Sequence, residues 1–329
     1  MNFSGISLVT GAAGFMGSHV VERLAAEGIR VRATARPRND TSFFKNLNVE
    51  YVPADLTKPE TLSRLFDGDV DRVFHLGAIC NFSTPYKKLY PTNVLGVDHI
   101  TRLAMQKKVK MFVHVTSTSV YGYYKGSPFT EKSEREPMDN YGRSKRDGEN
   151  IVFKRCEEGL PAIIVRPCTV YGPRCNDGAG KVFSRPSAVS AIPGSGRQLL
   201  SNIRAEDVAG AILFLSSKDE AVGQIYNLSD NSNPTIKEAL TLATVIFRTS
   251  VPKLNLPLSL IKFVARLDGL ISGLKGKIPD LEYDAAKYLY NDYIVDNTRL
   301  KKSGYHFKYP DFMESMKQMG EWYWNQYHG

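Results

Sequence analysis

Tyr141 and Lys145 are a pair of residues whose types and spacing suggest chemistry. They stand four residues apart in the segment Tyr-Gly-Arg-Ser-Lys, so on a helix they share one face, one turn from each other. A phenol with an ordinary pKa of about 10 exchanges protons poorly at neutral pH, and a fixed ammonium nearby favours its phenolate form. The pair predicts an acid/base centre, although the same spacing is also common in solvated helices.

A run of hydroxyl side chains accompanies the end of a strand-like segment, Met111–Thr116. Ser117 follows that segment directly, with Thr116 and Ser119 close to it. Ligands of α/β folds bind at the carboxyl edge of the sheet, so these hydroxyls are candidates to orient a reacting oxygen. Hydroxyls at strand ends also commonly bond the nearby backbone, and this alternative stays open for each of them.

A glycine-rich turn links the first strand-like run, Ile6–Thr10, to a helical pattern. The turn contains glycines three residues apart, with two large side chains in the second gap: Gly11, Gly14, Phe15, Met16 and Gly17. Gly11 permits a tight turn, Gly14 lets backbone N–H groups approach a pyrophosphate, and Gly17 allows the helix to pack closely on the sheet. This strand, turn and helix together predict a dinucleotide-binding site.

The residues after the second strand-like run indicate which dinucleotide the site prefers. NAD-binding sites have an acidic residue there, which accepts hydrogen bonds from the ribose hydroxyls. In this chain the position is Ala35, with Arg36 next and Arg38 close behind. A carboxylate that would repel a 2′-phosphate is missing, and guanidinium groups that would pair with it are present. The pattern favours NADP(H) over NAD(H), unless the arginines merely cap a surface strand.

The elements that must position these residues alternate along the N-terminal half of the chain. The predicted strands are Ile6–Thr10, Arg30–Ala35, Val49–Val52, Arg72–His75, Met111–Thr116 and Ala162–Arg166. The clearest predicted helices are Gly14–Glu27 and Asn140–Glu157. This alternation predicts an α/β fold with a doubly wound parallel sheet of the Rossmann type, covered by helices on both faces.

The second half has looser segments punctuated by glycine and proline. We predict a dinucleotide-binding domain over residues 1–175 and a smaller α/β substrate-binding lobe over residues 176–329, with elements at about 200–228 returning to the main core. Helices are expected at Glu206–Leu215, Thr235–Phe247 and Asp311–Tyr327. Thr235 and Glu238 form the pattern of a capping box.

The composition is that of an ordinary globular protein of 329 residues, 42% of them hydrophobic, with a formal net charge of +9. Its Lys and Arg residues are scattered over predicted helices, which favours a solvated surface over a nucleic-acid-binding track. The four cysteines show neither a paired spacing nor a nearby histidine cluster, so we expect no disulfide framework and no metal site. We recognise no signal peptide or N-terminal anchor, and expect a cytoplasmic protein.

Together these motifs resemble the extended short-chain dehydrogenase/reductase superfamily, which includes the NAD-dependent epimerases and dehydratases. The resemblance covers nearly the whole chain and includes further segments in the same order: Asp55-Leu56, His75-Leu-Gly77-Ala78, Asn93-Val-Leu-Gly96, Arg166-Pro167-Cys-Thr-Val-Tyr-Gly172 and Glu206-Asp-Val-Ala209.

The resemblance implies roles for the residues that match. Tyr141 would act as acid/base, Lys145 would hold the nicotinamide ribose and lower the Tyr141 pKa, and Ser117 would bind the reacting oxygen. Further cofactor contacts are implied near the adenine, on the pyrophosphate side and after the sixth strand: Asp55, Leu56, Gly77, Ala78 and Pro167.

Three departures argue against the sugar-processing branches of this superfamily. Dehydratases resemble one another in an Asp-Glu pair before Val-Tyr-Gly, whereas this chain has Thr118 and Ser119 there and lacks the carboxylates that elimination needs. Sugar-nucleotide enzymes usually have Asn at the position of Thr169 and a diphosphate-binding arginine at the position of Leu200. Arg204 is an alternative partner for a diphosphate, so this argument stays open.

The remaining branch resembles dihydroflavonol reductases and 3β-hydroxysteroid dehydrogenases, also in the segment Val31–Arg36. The apolar stretch Leu254–Leu274 supports an apolar substrate if it covers the cleft. A core helix explains the same composition equally well. Lys262, Arg266 and Asp268 argue against a membrane span, and a surface-lying amphipathic helix with peripheral membrane contact is a further interpretation.

The sequence thus leaves three functions from different classes. It favours an NADP(H)-dependent oxidoreductase that interconverts a secondary alcohol and a ketone on a bulky, steroid- or flavonoid-like substrate. The alternatives are a nucleotide-sugar 4-epimerase with tightly bound NAD, and a non-catalytic cofactor-sensing or scaffold protein, against which the intact Ser117, Tyr141 and Lys145 argue. Members of the superfamily often dimerise through two helices, for which Ile100–Ala104 and Asn150–Phe153 are candidates.

Overall fold

A computed structural model describes residues 3–122, 128–175, 191–248, 252, 254–275, 279 and 282–328, with residues 322–328 as backbone only. Within these residues the strands are, in chain order, β1 (Ile6–Thr10), β2 (Val31–Thr34), β3 (Val49–Tyr51), β4 (Val70–His75), β5 (Met111–Val115), β6 (Ala162–Pro167), β7 (Thr169–Tyr171), β8 (Ile192–Pro193), β9 (Asn202–Arg204), β10 (Ile225–Leu228) and β11 (Asn255–Leu256).

Seven of these strands form one parallel sheet in the order β3-β2-β1-β4-β5-β6-β10. Every residue of β2, β5 and β6 is buried, as expected for parallel strands whose two faces are both covered. The strand order reverses between β1 and β4, and folds of this kind bind their ligands in the crevice at the carboxyl ends of such strands.

The helices cover the sheet on both sides. They are α1 (Phe15–Ala26), α2 (Tyr86–Tyr90), α3 (Gly96–Gln106), α4 (Asn140–Glu157), α5 (Ala205–Ser216), α6 (Ile236–Ile246), α7 (Leu258–Leu274), α8 (Thr298–Lys302) and α9 (Phe312–His328). Helices α1 and α5 pack together against one apolar core, whereas α3 and α4 contribute to a second core on the other side. A π-helical segment, Pro91–Leu95, joins α2 to α3.

The C-terminal part adds smaller units beside the carboxyl edge of the sheet. Two strand pairs, β7 with β9 and β8 with β11, are both parallel, and α6 packs against α9. The predicted capping box of α6 is confirmed, since Glu238 N donates to Thr235 Oγ1 at 3.1 Å and Thr235 N donates to Glu238 Oε2 at 2.8 Å.

The predicted fold class is confirmed: the protein has a doubly wound parallel sheet of the Rossmann type. The apolar stretch Leu254–Leu274 is not one continuous helix. Asn255–Leu256 forms a strand that pairs with β8, and the helix begins after its N-cap, Pro257. None of the helices in the described ranges is long and apolar enough to cross a membrane. The division into a dinucleotide-binding domain, residues 1–175, and a substrate-binding lobe, residues 176–329, stays a prediction.

Candidate active site

A cavity of about 730 Å³ lies along the carboxyl ends of the central strands. The glycine turn, the loops after β2 to β5, the start of α4 and parts of the C-terminal region form its walls. All site residues predicted from the sequence line this cavity: Gly11, Gly14, Phe15, Met16, Gly17, Arg36, Asp55, Leu56, Gly77, Ala78, Ser117, Tyr141, Lys145 and Pro167. The fold therefore brings together residues from seven separate segments of the chain.

The glycine turn is too tight for side chains at two of its positions. Gly11 has a φ of +68°, and a Cβ on Gly17 would lie 2.1 Å from the carbonyl oxygen of Gly11. Gly14 is the N-cap of α1, and no side chain of the described residues caps this end of the helix. The first-turn N–H groups, at Phe15 and Met16, together with the helix dipole form an anion site that fits the pyrophosphate of a dinucleotide.

Thr10 and His75 stabilise this turn, a role that the sequence reasoning missed. Thr10 Oγ1 and His75 Nδ1 are 2.8 Å apart, and Gly77 N donates a hydrogen bond to Thr10 Oγ1 at 3.1 Å. Burial, followed by the charge of Lys145, lowers the pKa of His75 to about 3, so its ring is neutral. These contacts hold the loop after β4 against the glycine turn.

Tyr141 lies in the first turn of α4, where Asp139 caps the helix by accepting a hydrogen bond from Gly142 N at 2.7 Å. Its phenol is buried and shares a side-chain hydrogen bond with Ser117. Burial, and after it the neighbouring Cys80 thiol, raises the pKa of Tyr141 well above its usual value. Desolvation thus opposes the lowering that we expected from Lys145, and the phenol is neutral.

Lys145 follows one turn later on α4 with a buried side chain. Its Nζ donates a hydrogen bond to the carbonyl oxygen of Val115 at 2.9 Å, at the end of β5. Burial lowers the pKa of this ammonium to about 8, although the nearby Cys80 and Glu149 act in the opposite direction. The ammonium is therefore charged at neutral pH but close to the range in which it loses its proton.

Ser117 caps the short turn Thr118–Tyr121 that follows β5. Its Oγ accepts hydrogen bonds from Ser119 N at 3.2 Å and from Ser119 Oγ at 2.6 Å. Ser119 therefore supports the hydroxyl that bonds Tyr141. Thr116 lines the cavity, but its Oγ1 has no hydrogen-bond partner among the described residues.

Asn93 joins the loop after β4 to α4. Its Oδ1 accepts a hydrogen bond from Ile79 N at 2.8 Å, and its Nδ2 donates to Ile79 O at 3.0 Å and to Ser144 Oγ at 2.9 Å. The residue lies in the π-helical segment between α2 and α3, and such segments are frequent at functional sites. This contact sets the position of the Cys80 loop relative to Tyr141.

Arg36 and Asp55 lie at the end of the cavity that is remote from Tyr141. Asp55 Oδ1 accepts hydrogen bonds from Thr57 N at 2.9 Å and Thr57 Oγ1 at 2.8 Å. Partial burial acts against the charge of Asp55, but these bonds and then the Arg36 charge lower its pKa overall. The exposed Arg36 forms no ion pair within the described residues, so its guanidinium is available to an anion.

The half of the cavity next to the C-terminal region is apolar. Its lining there includes Phe82, Pro193, Leu200, Leu240, Leu256, Ile261, Ala286, Tyr288, Leu289 and Tyr293. Glu282 is the charged lining residue of this half among the described residues, and it accepts a hydrogen bond from Ser83 N at 3.0 Å. The basic residues of the described lining, Arg36 and Lys145, belong to the other half.

Arg204, the alternative diphosphate partner, is engaged elsewhere. It is buried on β9, and its Nη2 pairs with Glu206 Oε1 at 2.9 Å. Its guanidinium also stacks over the Tyr309 ring at 3.8 Å from the centroid, and it is not among the lining residues of the cavity. Leu200 does line the cavity, so nothing in the described lining replaces the missing arginine there.

The sequence reasoning missed the aromatic wall beside Tyr141. The Phe82 ring meets the Tyr141 and Tyr288 rings edge to face, with centroids 5.2 and 5.6 Å away, and Tyr288 Oη donates to Asp139 Oδ2 at 2.7 Å. No motif marks Phe82 or Tyr288 in the sequence. One residue in the sequence could have drawn attention to this wall: Asp139, which bonds Tyr288 and stands just before the predicted start of α4, where a helix-capping residue is expected.

Comparison with known families gives one match that covers most of the chain. The model of the NAD dependent epimerase/dehydratase family matches residues 7–229. This range includes the glycine turn, Ser117, Tyr141 and Lys145.

Individual relatives differ in what they do. A ketoreductase of Stigmatella aurantiaca, named for 4-hydroxy-2-methyl-3-oxo-4-farnesyl-3,4-dihydroquinoline-1-oxide, is 25% identical over 248 residues, covering 72% of this chain and 71% of the relative. The dTDP-D-glucose 4,6-dehydratase of Mus musculus is 29% identical over 245 residues, 68% of each chain. The solved UDP-glucose 4-epimerase of Thermotoga maritima, with UDP-glucose, has a TM-score of 0.78 at 22% identity and covers 98% of this chain and 99% of its own; it shares the fold.

Proposed function

The chain belongs to the NAD dependent epimerase/dehydratase family, and within this family we propose that it is an NADP(H)-dependent oxidoreductase that interconverts a ketone and a secondary alcohol on a bulky apolar substrate. A steroid-like or flavonoid-like ring system suits the apolar lining next to the C-terminal region. The named ketoreductase among the relatives acts on a farnesylated ring compound by its description, which supports an apolar substrate class.

The observation on which this proposal rests is the apolar wall that contains Leu200. A nucleotide diphosphate needs cationic partners for its two phosphates. We call the half of the cavity next to the C-terminal region the substrate half. Its described lining includes Leu200, Leu240 and Ile261, and its charged residue is the acidic Glu282. An apolar pocket with few polar groups suits an apolar ligand, whereas a diphosphate would lose its hydration there without compensation.

The residues present fit a dinucleotide at the other half of the cavity. The turn from Gly11 to Gly17 would hold the pyrophosphate, Asp55 and Leu56 the adenine end, and Lys145 the nicotinamide ribose. Gly77, Ala78 and Pro167 would complete the contacts. The exposed guanidinium of Arg36, which has no ion-pair partner in the part of the chain that the structure describes, supports NADP(H), because a 2′-phosphate would form a charge-assisted bond with it.

A bound nicotinamide supplies or accepts a hydride, and the side chains manage the proton. For reduction, Ser117 would donate a hydrogen bond to the ketone oxygen. As a C–H bond forms at the carbonyl carbon and the C=O π bond breaks, the phenol of Tyr141 would give its proton to that oxygen, leaving a phenolate beside Lys145. The raised pKa of Tyr141 keeps the phenol protonated before the reaction, which suits a proton donor.

The test is an assay of the purified chain with NADPH or NADH and a panel of steroid and flavonoid ketones, following the reduced nicotinamide. We expect consumption of NADPH with at least one apolar ketone. A parallel reaction with UDP-sugars and NAD would reveal 4-epimerisation. Epimerised sugar without ketone reduction would overturn the proposal in favour of a nucleotide-sugar 4-epimerase.

A variant at Leu200 sharpens this test. Leu200→Arg introduces a desolvated charge into the apolar wall, so we expect the KM for an accepted ketone to rise about tenfold or more while NADPH affinity stays unchanged. Leu200→Met is the matched control, since it conserves volume and polarity. An unchanged KM in Leu200→Arg would mean that the substrate does not contact this wall.

A further inference from the structure

Helix α7 presents a stripe of large apolar side chains to solvent. Seven side chains form it, with exposed fractions from 43% at Leu267 to 91% at Leu274. They are Leu260, Phe263, Val264, Leu267, Leu270, Ile271 and Leu274. At about 100° per residue they occupy a sector of about 120°. We call this set the α7 stripe.

The α7 stripe faces away from the body of the protein. The buried residues of the helix are Ile261, Ala265 and Ser272, on the opposite side of the helical wheel. A surface helix normally directs its apolar stripe to the core and its polar side to water. Here the broad apolar face is the outer one, and a contiguous exposed patch of this kind marks an interaction surface.

One border of the α7 stripe is basic and aromatic. Lys262 Nζ lies 4.9 Å from the centroid of the Tyr290 ring, and Arg266 Nη2 donates a hydrogen bond to Tyr283 Oη at 2.9 Å. Amphipathic lysine, arginine and tyrosine side chains are typical of the boundary between lipid headgroups and acyl chains. The border thus has the residues that an interfacial helix needs.

The acidic residue of α7 lies beside the other border of the stripe, about 40° beyond Val264 around the helix. Asp268 is half-buried and accepts a hydrogen bond from Ser272 Oγ at 3.1 Å. Lys275 is exposed directly after the helix. Among the described residues beside the stripe, the cations Arg266 and Lys275 outnumber the one carboxylate, Asp268, in a chain with a formal net charge of +9.

From this arrangement we propose that the α7 stripe docks the protein onto the surface of an anionic lipid bilayer. The seven apolar side chains would enter the boundary of the acyl chains, and Lys262, Arg266 and Lys275 would contact the anionic headgroups. A second copy of the chain packed antiparallel through the stripe fits less well, because that two-fold contact would bring the two Arg266 borders together.

Docking would place the cavity against the membrane. Ile261 on the inner side of α7 and Leu256 just before it line the cavity, so the helix separates the cavity from the surface that contacts lipid. If the proposed function holds, an apolar substrate would reach the cavity from the bilayer. The docking itself does not depend on the reaction.

The experiment is flotation of the full chain with vesicles, without substrate. Vesicles contain phosphatidylcholine and phosphatidylserine in equal parts, or phosphatidylcholine alone. We expect the protein to float with the anionic vesicles and less with the neutral ones. Leu270→Glu should lower the partition coefficient about tenfold or more, because one leucine leaves the acyl boundary and a negative charge enters it.

Val245→Glu is the matched control, since Val245 is 62% exposed on α6, outside the α7 stripe. It should float like the unchanged protein, and circular dichroism should show both variants folded. The proposal is overturned if the unchanged protein stays unbound, or if Leu270→Glu floats equally well. It is also overturned if Leu270→Glu changes only the oligomeric state, which light scattering would show. Because no turnover is measured, failure here leaves the proposed reaction untouched.

Discussion

The ammonium of Lys145 donates a hydrogen bond to the carbonyl oxygen of Val115 at 2.9 Å and so ties α4 to the end of β5. This contact places the ammonium at the wall of the cavity, one helical turn from Tyr141. Burial lowers its pKa to about 8, which makes its charge depend on pH within an accessible range.

We expect coenzyme affinity to fall as the pH rises through about 8. Below that pH the protonated Lys145 can donate to the ribose, and above it the donor charge is lost, so the sign of the effect is a loss on the alkaline side. Fluorescence titrations with NADPH over the neutral to alkaline range measure this dependence. Lys145→Met should bind NADPH weakly, and its affinity should not fall further as the pH rises through about 8. The same alkaline fall in this variant would show that another group causes it.

Tyr141→Phe should lower kcat by about two to four orders of magnitude, because the phenolic proton is removed. Coenzyme affinity should stay within about twofold, since the ring and its packing against Phe82 are retained. Tyr226→Phe, on β10 and outside the described cavity lining, is the control and should keep full activity. Substantial turnover by Tyr141→Phe would exclude the proposed proton transfer.

Arg36→Ala should weaken NADPH binding about tenfold or more and leave NADH binding unchanged, because a 2′-phosphate loses its charge-assisted partner. Arg38→Ala is the matched control: it removes an equal charge two residues away, at a position that does not line the cavity. Isothermal titration with both coenzymes separates these cases. Equal loss for NADH and NADPH would refute a 2′-phosphate contact at Arg36.

Cys80 is an exposed cysteine that lines the cavity and neighbours the Tyr141 phenol. Alkylation with iodoacetamide should therefore abolish turnover by filling the space next to Tyr141, and bound NADPH with substrate should slow the loss. Cys80→Ser should remain active and resist inactivation, since Cys168 and Cys175 are buried and the half-buried Cys156 does not line the cavity. Inactivation of Cys80→Ser at the original rate would point to a different cysteine.

Glu149 and Arg166 form a buried ion pair behind the site, with Arg166 Nη2 2.7 Å from Glu149 Oε2. Glu149→Gln should lower the free energy of unfolding by about 3–5 kcal/mol, because the buried guanidinium loses its counter-charge. Glu157→Gln, exposed on the same helix, should change it by less than about 0.5 kcal/mol. Urea unfolding of both variants gives the comparison, and equal stabilities would show that the pair is dispensable.

The elements around the half of the cavity that contains the glycine turn could be predicted, because the sequence patterns that indicate them are local. The glycine turn, the α4 spacing of Tyr141 and Lys145, and the capping box at Thr235 each depend on residues a few positions apart. Hydrophobic periodicity and turn chemistry report such short-range arrangements directly. The sheet and the first members of the candidate site therefore followed from the sequence.

The substrate half could not be predicted in the same way. Leu200, Tyr288 and Phe82 come from distant segments without a shared motif, and packing around the cavity brings them together. The protonation states also needed the fold: burial holds the Tyr141 phenol neutral and lowers the Lys145 pKa. Desolvation depends on every neighbour in space, which spacing along the chain does not contain.

Helix α7 shows the same division. The sequence by itself determined an apolar stretch that ends near Leu274, and it left a core helix, a cleft cover and a surface helix as alternatives. Only the tertiary structure decided that Ile261 faces the cavity while Leu270 faces solvent. A helix with apolar residues on two sides has no single hydrophobic face, so its orientation is set by the surfaces against which it packs.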